Sequence, residues 1–249
     1  MINADLLKCI ALVSMTLDHM AYNGLLPPWV QFTFGRLAFP IFAVLMTYHL
    51  QQKQLFKKYA IRLSFWGVVC WYACPWMPQL NIFFTLLWPV LALWGLQKLQ
   101  QVKSPTFIHN LLLEILFVAG AFAGMVSQYD VFGFIYLCLL YYWWKKPNIG
   151  YAICLVIFCI LGNLSSKSGL CLTSVGIIAT SLLFVLPGGR RWFKGSYVFY
   201  PYYPVHLWFL SCWAKGLWFV PYFPIWLWAW GGVYFMTYLR QKFLLSKQA

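Results

Sequence analysis

The stretch LLKCIALVSMTLDHMAYNGLL, residues 6–26, has the apolar character of a membrane-spanning helix, yet it carries Lys8, Asp18 and His19. An ionisable side chain at the centre of a bilayer helix costs roughly 2.5–3.5 kcal/mol on insertion scales, so such a residue needs a partner or a task. Lys8 and His19 are eleven residues apart. At 100° per residue the two fall about 20° from perfect alignment, sharing one helix face with about 16.5 Å between them along the axis. Asp18 points about 80–100° around from that stripe. An ammonium at one end of such a track suits phosphate oxygens. An imidazole at the other end suits a general base acting on an amine or hydroxyl, with the carboxylate to orient or charge-balance its neighbours. The length matches a phosphopantetheine arm, which has phosphates at one end and a thioester at the other. The plainer alternative is that Lys8 snorkels to the interface while Asp18 and His19 make polar contacts between helices.

Further chemistry-bearing residues lie in other apolar runs. In FTFGRLAFPIF, Arg36 is expected at about the depth of His19. Pro40 cannot donate to the Arg36 carbonyl four residues back, which predicts a bend there. Arg36 would pair with Asp18, hold an acceptor's carboxylate or carbonyl, or stabilise a tetrahedral oxyanion. A purely structural Asp18–Arg36 ion pair is the alternative. In YPYYPVHLWF, Pro201 and Pro204 predict a broken helix, and broken helices at membrane depth line cavities. His206 and Tyr203 would line such a cavity, or His206 would bond to a neighbouring helix. Asn81 and Thr85, at i and i+4, and Asp130, beside Tyr129 before the next apolar run, are candidate acceptor contacts or ordinary interhelical and turn residues. Glu114, inside a span, is expected to face protein. The aromatic run Tyr141, Tyr142, Trp143 and Trp144 belongs to the aromatic belt or stacks on an adenine.

These residues must be positioned by a membrane scaffold. The 249-residue chain is 63% hydrophobic, 21% aromatic and 9% charged, against about 25% charged in soluble domains. That composition excludes a sizeable soluble domain and implies an all-α polytopic membrane protein. Apolar runs divide it into ten spans, near 5–23, 31–50, 59–76, 82–97, 106–125, 131–144, 149–163, 170–187, 196–218 and 220–239. The sixth and seventh are short, and either tilted, half-inserted or one broken pair. Without a linker or repeat, residues 1–249 read as one domain. The first span lacks a basic leader and a clean cleavage site, so it does not read as a signal peptide.

The net charge of +14 is a matter of topology rather than of nucleic-acid binding. Loops after even-numbered spans hold fourteen Lys and Arg residues, whereas loops after odd-numbered spans hold Lys167. By the positive-inside rule both termini are cytoplasmic. Eight cysteines lie mostly in apolar runs and form no Cys-x-x-Cys pair, so no metal site is expected.

The Lys8-x10-His19 spacing resembles the first-helix signature of the acyltransferase family 3 membrane proteins. The wider pattern LKCIALVSMTLDHM followed by FGRLAFPIFAVLM is closer still to the TraX family, conjugative-plasmid proteins associated with N-acetylation of pilin. The segments LNIFFT, SQYDVFGFIY and YVFYPYYPVHLWFL resemble TraX more loosely, and the likeness is densest over residues 1–50. The resemblance implies a multi-pass bacterial inner-membrane acetyltransferase with helices around a central acyl-CoA tunnel, taking acetyl-CoA as donor and a membrane-embedded pilin subunit as acceptor. It implies His19, Asp18 and Arg36 as the catalytic group. Lys8, Arg190 and Arg191 would lie at the donor's phosphates, with Tyr203 and His206 along the tunnel. An envelope sugar or lipid acceptor, a proton-coupled transporter and a non-catalytic pilin-holding factor are the competing readings.

Overall fold

The structure, a computed structural model, describes residues 2–74, 81–102, 107–127, 129–163, 187–188 and 196–214. Their regular structure is helical, apart from a two-residue parallel pairing of β1 (Ile2–Asn3) with β2 (Pro187–Gly188). The helices are α1 (Ala4–Tyr22), α2 (Pro28–Thr33), a 3₁₀ turn (Gly35–Leu37), α3 (Ala38–Lys53), α4 (Phe56–Ala73), α5 (Ile82–Gln100), α6 (Phe107–Met125), α7 (Asp130–Lys145), α8 (Ile149–Asn163) and α9 (Ser196–Ala214).

Local sequence sets these boundaries. Pro28 starts α2 at a position whose N–H has no helical partner. Asn81 caps α5 by accepting from Phe83 N at 3.1 Å. Gln54, with φ of 51°, ends α3 in the left-handed conformation and turns the chain directly into α4.

Helix α7 lies at the centre, packed on α3, α5, α6 and α8, with Tyr136, Leu137 and Leu140 fully buried. Helix α1 packs on α2, the 3₁₀ turn and α3, and α9 bridges α1 and α4. Lys8 stands over the Phe199 ring, Thr16 meets Tyr202 and His19 meets His206. Helices α1 and α9 therefore run in the same direction.

Among the described residues, three stretches are long and apolar enough to cross a membrane: Pro28–Lys53, interrupted by the 3₁₀ turn, Ile82–Gln100 and Phe107–Met125. The sixth and seventh expected spans form two separate packed helices of 16 and 15 residues. At 1.5 Å per residue these are about 24 and 22 Å long, short of a core about 30 Å thick. The span expected at 220–239, and 170–186 of the span before α9, lie outside the described residues.

Three expectations need correction. The bend in the second span falls ahead of Pro40 rather than at it. The 3₁₀ turn supplies the bend, and Pro40 sits in the first turn of α3, where a missing N–H costs nothing. Helix α9 runs unbroken through Pro201 and Pro204, each of which removes only one backbone donor. Glu114 does not face protein: it is exposed on α6. That helix buries only Gly120 and Gly124. A Cβ on Gly120 would come within 2.6 Å of the Phe134 ring, so α6 docks through its small residues and turns its first half outward.

Candidate active site

The site forms where the C-terminal end of α1 meets α9 on one side and the 3₁₀ turn on the other. Successive helical residues diverge by 100°, so His19 faces α9 while Asp18 faces the turn. Lys8 also faces α9, sharing the His19 stripe as its spacing predicts.

His19 and His206 are both buried, at 5% and 6% exposure. His19 Nδ1 lies 2.6 Å from His206 Nε2, with the ring centroids 4.8 Å apart and the planes 26° from parallel. Tyr203 packs edge-on to both rings, at 5.7 Å from His19 and 5.6 Å from His206. Phe83 at the start of α5 is edge-on to Tyr203 at 5.1 Å. One residue earlier on α9, Tyr202 stacks on His206 at 4.7 Å, and its hydroxyl meets Thr16 Oγ1 at 2.6 Å.

On the other side, Asp18 Oδ1 is 3.5 Å from Arg36 Nε. This is a charge contact rather than a hydrogen bond, because neither atom has a hydrogen-bond partner among the described residues. Gln31 on α2 stands beside Asp18, and Tyr129 stands beside Arg36 while stacking on Phe39 at 4.0 Å. The turn can approach α1 this closely because position 35 is glycine: a Cβ there would lie 2.7–2.8 Å from Asp18 Oδ1, Cα and Cβ. Ser14 ties the turn to α1, with its Oγ at 2.5 Å from Phe34 O and 2.9 Å from Gly35 O.

The remaining sequence candidates are placed as follows. Lys8 Nζ is 2.7 Å from Asp5 Oδ1, with Asp5 fully buried and the Lys8 side chain 19% exposed. Asn81 spends both halves of its amide on the protein, capping α5 and donating to Gly67 O at 2.9 Å. Thr85 is 1% exposed, and its hydroxyl has no hydrogen-bond partner among the described residues. Its methyl faces Gly133 of α7 beside Phe39, in the layer that carries Tyr129. Asp130 is the first residue of α7. Trp144 donates to Thr47 Oγ1 at 3.2 Å and Tyr141 lies edge-on to Phe56, so both rings pack on the protein. Arg190 and Arg191 lie outside the described residues, although β2 brings the chain just before them alongside the N-terminus.

Sequence reasoning had not singled out Asp5, Ser14, Thr16 or Tyr202. Asp5 had a signal, since it stands at i−3 from Lys8 on the same helix. The Thr16–Tyr202 contact joins residues 186 apart and had none.

A family model described as TraX protein matches residues 3–213. A protein of Dichelobacter nodosus named "Probable fimbrial assembly protein FimC, serogroup H1" is 26% identical over 243 residues, covering 84% of this chain and 94% of its own. No solved structure matches the chain. A match over most of the chain, residues 3–213, means that the chain belongs to the TraX family.

Proposed function

We propose that this protein is a multi-pass inner-membrane acetyltransferase that moves an acetyl group from cytoplasmic acetyl-CoA to the N-terminal amine of a membrane-embedded pilin. The observation that carries the reading is the buried His19–His206 pair, one residue from a charge contact whose facing atoms are unspent. A buried base with an unused cationic donor nearby is what acyl transfer to an amine requires. The relative named for fimbrial assembly supports a pilus context for the acceptor, and the three membrane-length helices support a lipid-embedded site.

In this reading His19 removes the proton from the attacking amine as its nitrogen bonds to the thioester carbonyl carbon. Arg36 donates to the oxyanion that develops, and Asp18 keeps the guanidinium in place. When the carbon–sulfur bond breaks, His19 returns its proton to the departing thiolate, leaving an acetamide and a free thiol. Thr85 offers a buried, unspent hydroxyl to the acceptor, whereas Asn81 already donates to Gly67 O and accepts from Phe83 N. Lys8, partly neutralised by Asp5, would share the donor's phosphates with Arg190 and Arg191 at the opposite end of the α1 stripe, with the acyl-CoA tunnel between.

The hydrogen-bonded histidines would also suit a proton relay in a transporter. Incubating purified protein and pilin with acetyl-labelled acetyl-CoA separates the two: label in pilin supports transfer. Absence of both label and acetyl-CoA binding favours the relay.

A further inference from the structure

We propose that His206 is a positioning residue that fixes the tautomer of His19, so that His19 Nε2, and not Nδ1, is the basic nitrogen offered to the acceptor. This rests on the acetyltransferase reading for its catalytic consequence and on geometry alone for the tautomer.

The assignment begins at a group with no choice. The Tyr202 carbonyl can only accept, and His206 Nδ1 lies 2.8 Å from it. His206 therefore carries its proton on Nδ1, and in the neutral ring Nε2 holds a lone pair. That nitrogen is 2.6 Å from His19 Nδ1, so His19 must donate from Nδ1. The opposite tautomer would set two lone pairs against each other at that distance. A neutral His19 protonated on Nδ1 carries its free lone pair on Nε2. Nε2 stands 4.0 Å from Asp18 Oδ2, too far for a hydrogen bond, as expected of two facing acceptors. Once Nε2 takes a proton, it gains a carboxylate neighbour to balance the new charge.

The arrangement holds His206 on several sides. Tyr202 stacks on its ring within 13° of parallel and Tyr203 blocks the edge. The Thr16 hydroxyl already donates to Leu12 O at 2.8 Å, so the Tyr202 hydroxyl donates to Thr16 and pins α9 to α1 one turn from the histidine pair. The partners of metal-bound histidines orient their imidazoles in this way and are worth about 10–100-fold in activity.

The test combines spectroscopy with kinetics on the full chain in lipid nanodiscs. The chain has four histidines, so selective ¹⁵N-histidine labelling with His19→Gln for assignment resolves the signal. The expected result is a His19 ring protonated on Nδ1 and bare on Nε2, with Nε2–H appearing in His206→Leu. In transfer assays His206→Leu should lower kcat about a hundredfold. His206→Gln, whose amide oxygen can accept where Nε2 stood, should stay within about tenfold of wild type. A wild-type His19 protonated on Nε2, or Leu and Gln variants of equal activity, would overturn the proposal. The tautomer as inferred, in a protein that transfers no acetyl group, would retain the positioning role and remove the acetyltransferase reading.

Discussion

Asp18 and His19 are adjacent in the chain yet serve two different walls of the site: the carboxylate faces Arg36 at 3.5 Å and the imidazole faces His206 at 2.6 Å. One turn of α1 thus joins a charge contact to a hydrogen-bonded histidine pair. Substitutions on either wall should consequently have separable effects.

Gly35→Ala tests the charge wall. Its Cβ would press within 2.8 Å of the α1 backbone at Asp18, where overpacking costs about 1–3 kcal/mol. The turn should move away and Arg36 lose its register with Asp18. The expected outcome is a lowered unfolding temperature in detergent together with loss of transfer. A fully stable and active alanine variant would show that the close approach has no role.

Thr85→Val removes a buried hydroxyl that makes no hydrogen bond among the described residues, while keeping the side chain's shape. Stability should change by less than about 1 kcal/mol, because no bond within the protein is lost. If the hydroxyl meets the acceptor, KM for pilin rises with kcat little changed, as acceptor titrations would measure. Asn81→Ala should do the reverse, costing about 0.5–2 kcal/mol through the lost cap of α5.

Lys8 is tied to a fully buried carboxylate. Lys8→Met alone should destabilise the protein by taking a cationic partner from buried Asp5, and Asp5→Asn in the same chain should restore part of that. Acetyl-CoA binding by the double variant then isolates the phosphate role. A higher Kd at normal stability assigns Lys8 to the donor, and an unchanged Kd confines it to the ion pair.

Periodicity accounts for what was legible in the sequence. The Lys8–His19 stripe, the divergence of Asp18 and the pairing of Asp18 with Arg36 all follow from helical spacing and the cost of intramembrane charge. The His19–His206 bond spans 187 positions, and no local rule brings those two together. Pro201 and Pro204 misled because lost donors alone do not break a helix that packing holds straight. Glu114 misled for another reason. The cost of a carboxylate in lipid predicts burial, but the buried face of α6 is set by where Gly120 allows close approach.

The central claim is that His19 drives acetyl transfer to pilin, and the intact mass of the cognate pilin tests it most directly. Pilin would be co-expressed in membranes with this protein, with its His19→Ala variant, or with neither. One added acetyl group with the wild type alone, while the variant accumulates as folded protein, is the predicted result. An acetylated pilin in the His19→Ala membranes, or an unmodified one beside the wild type, would contradict it.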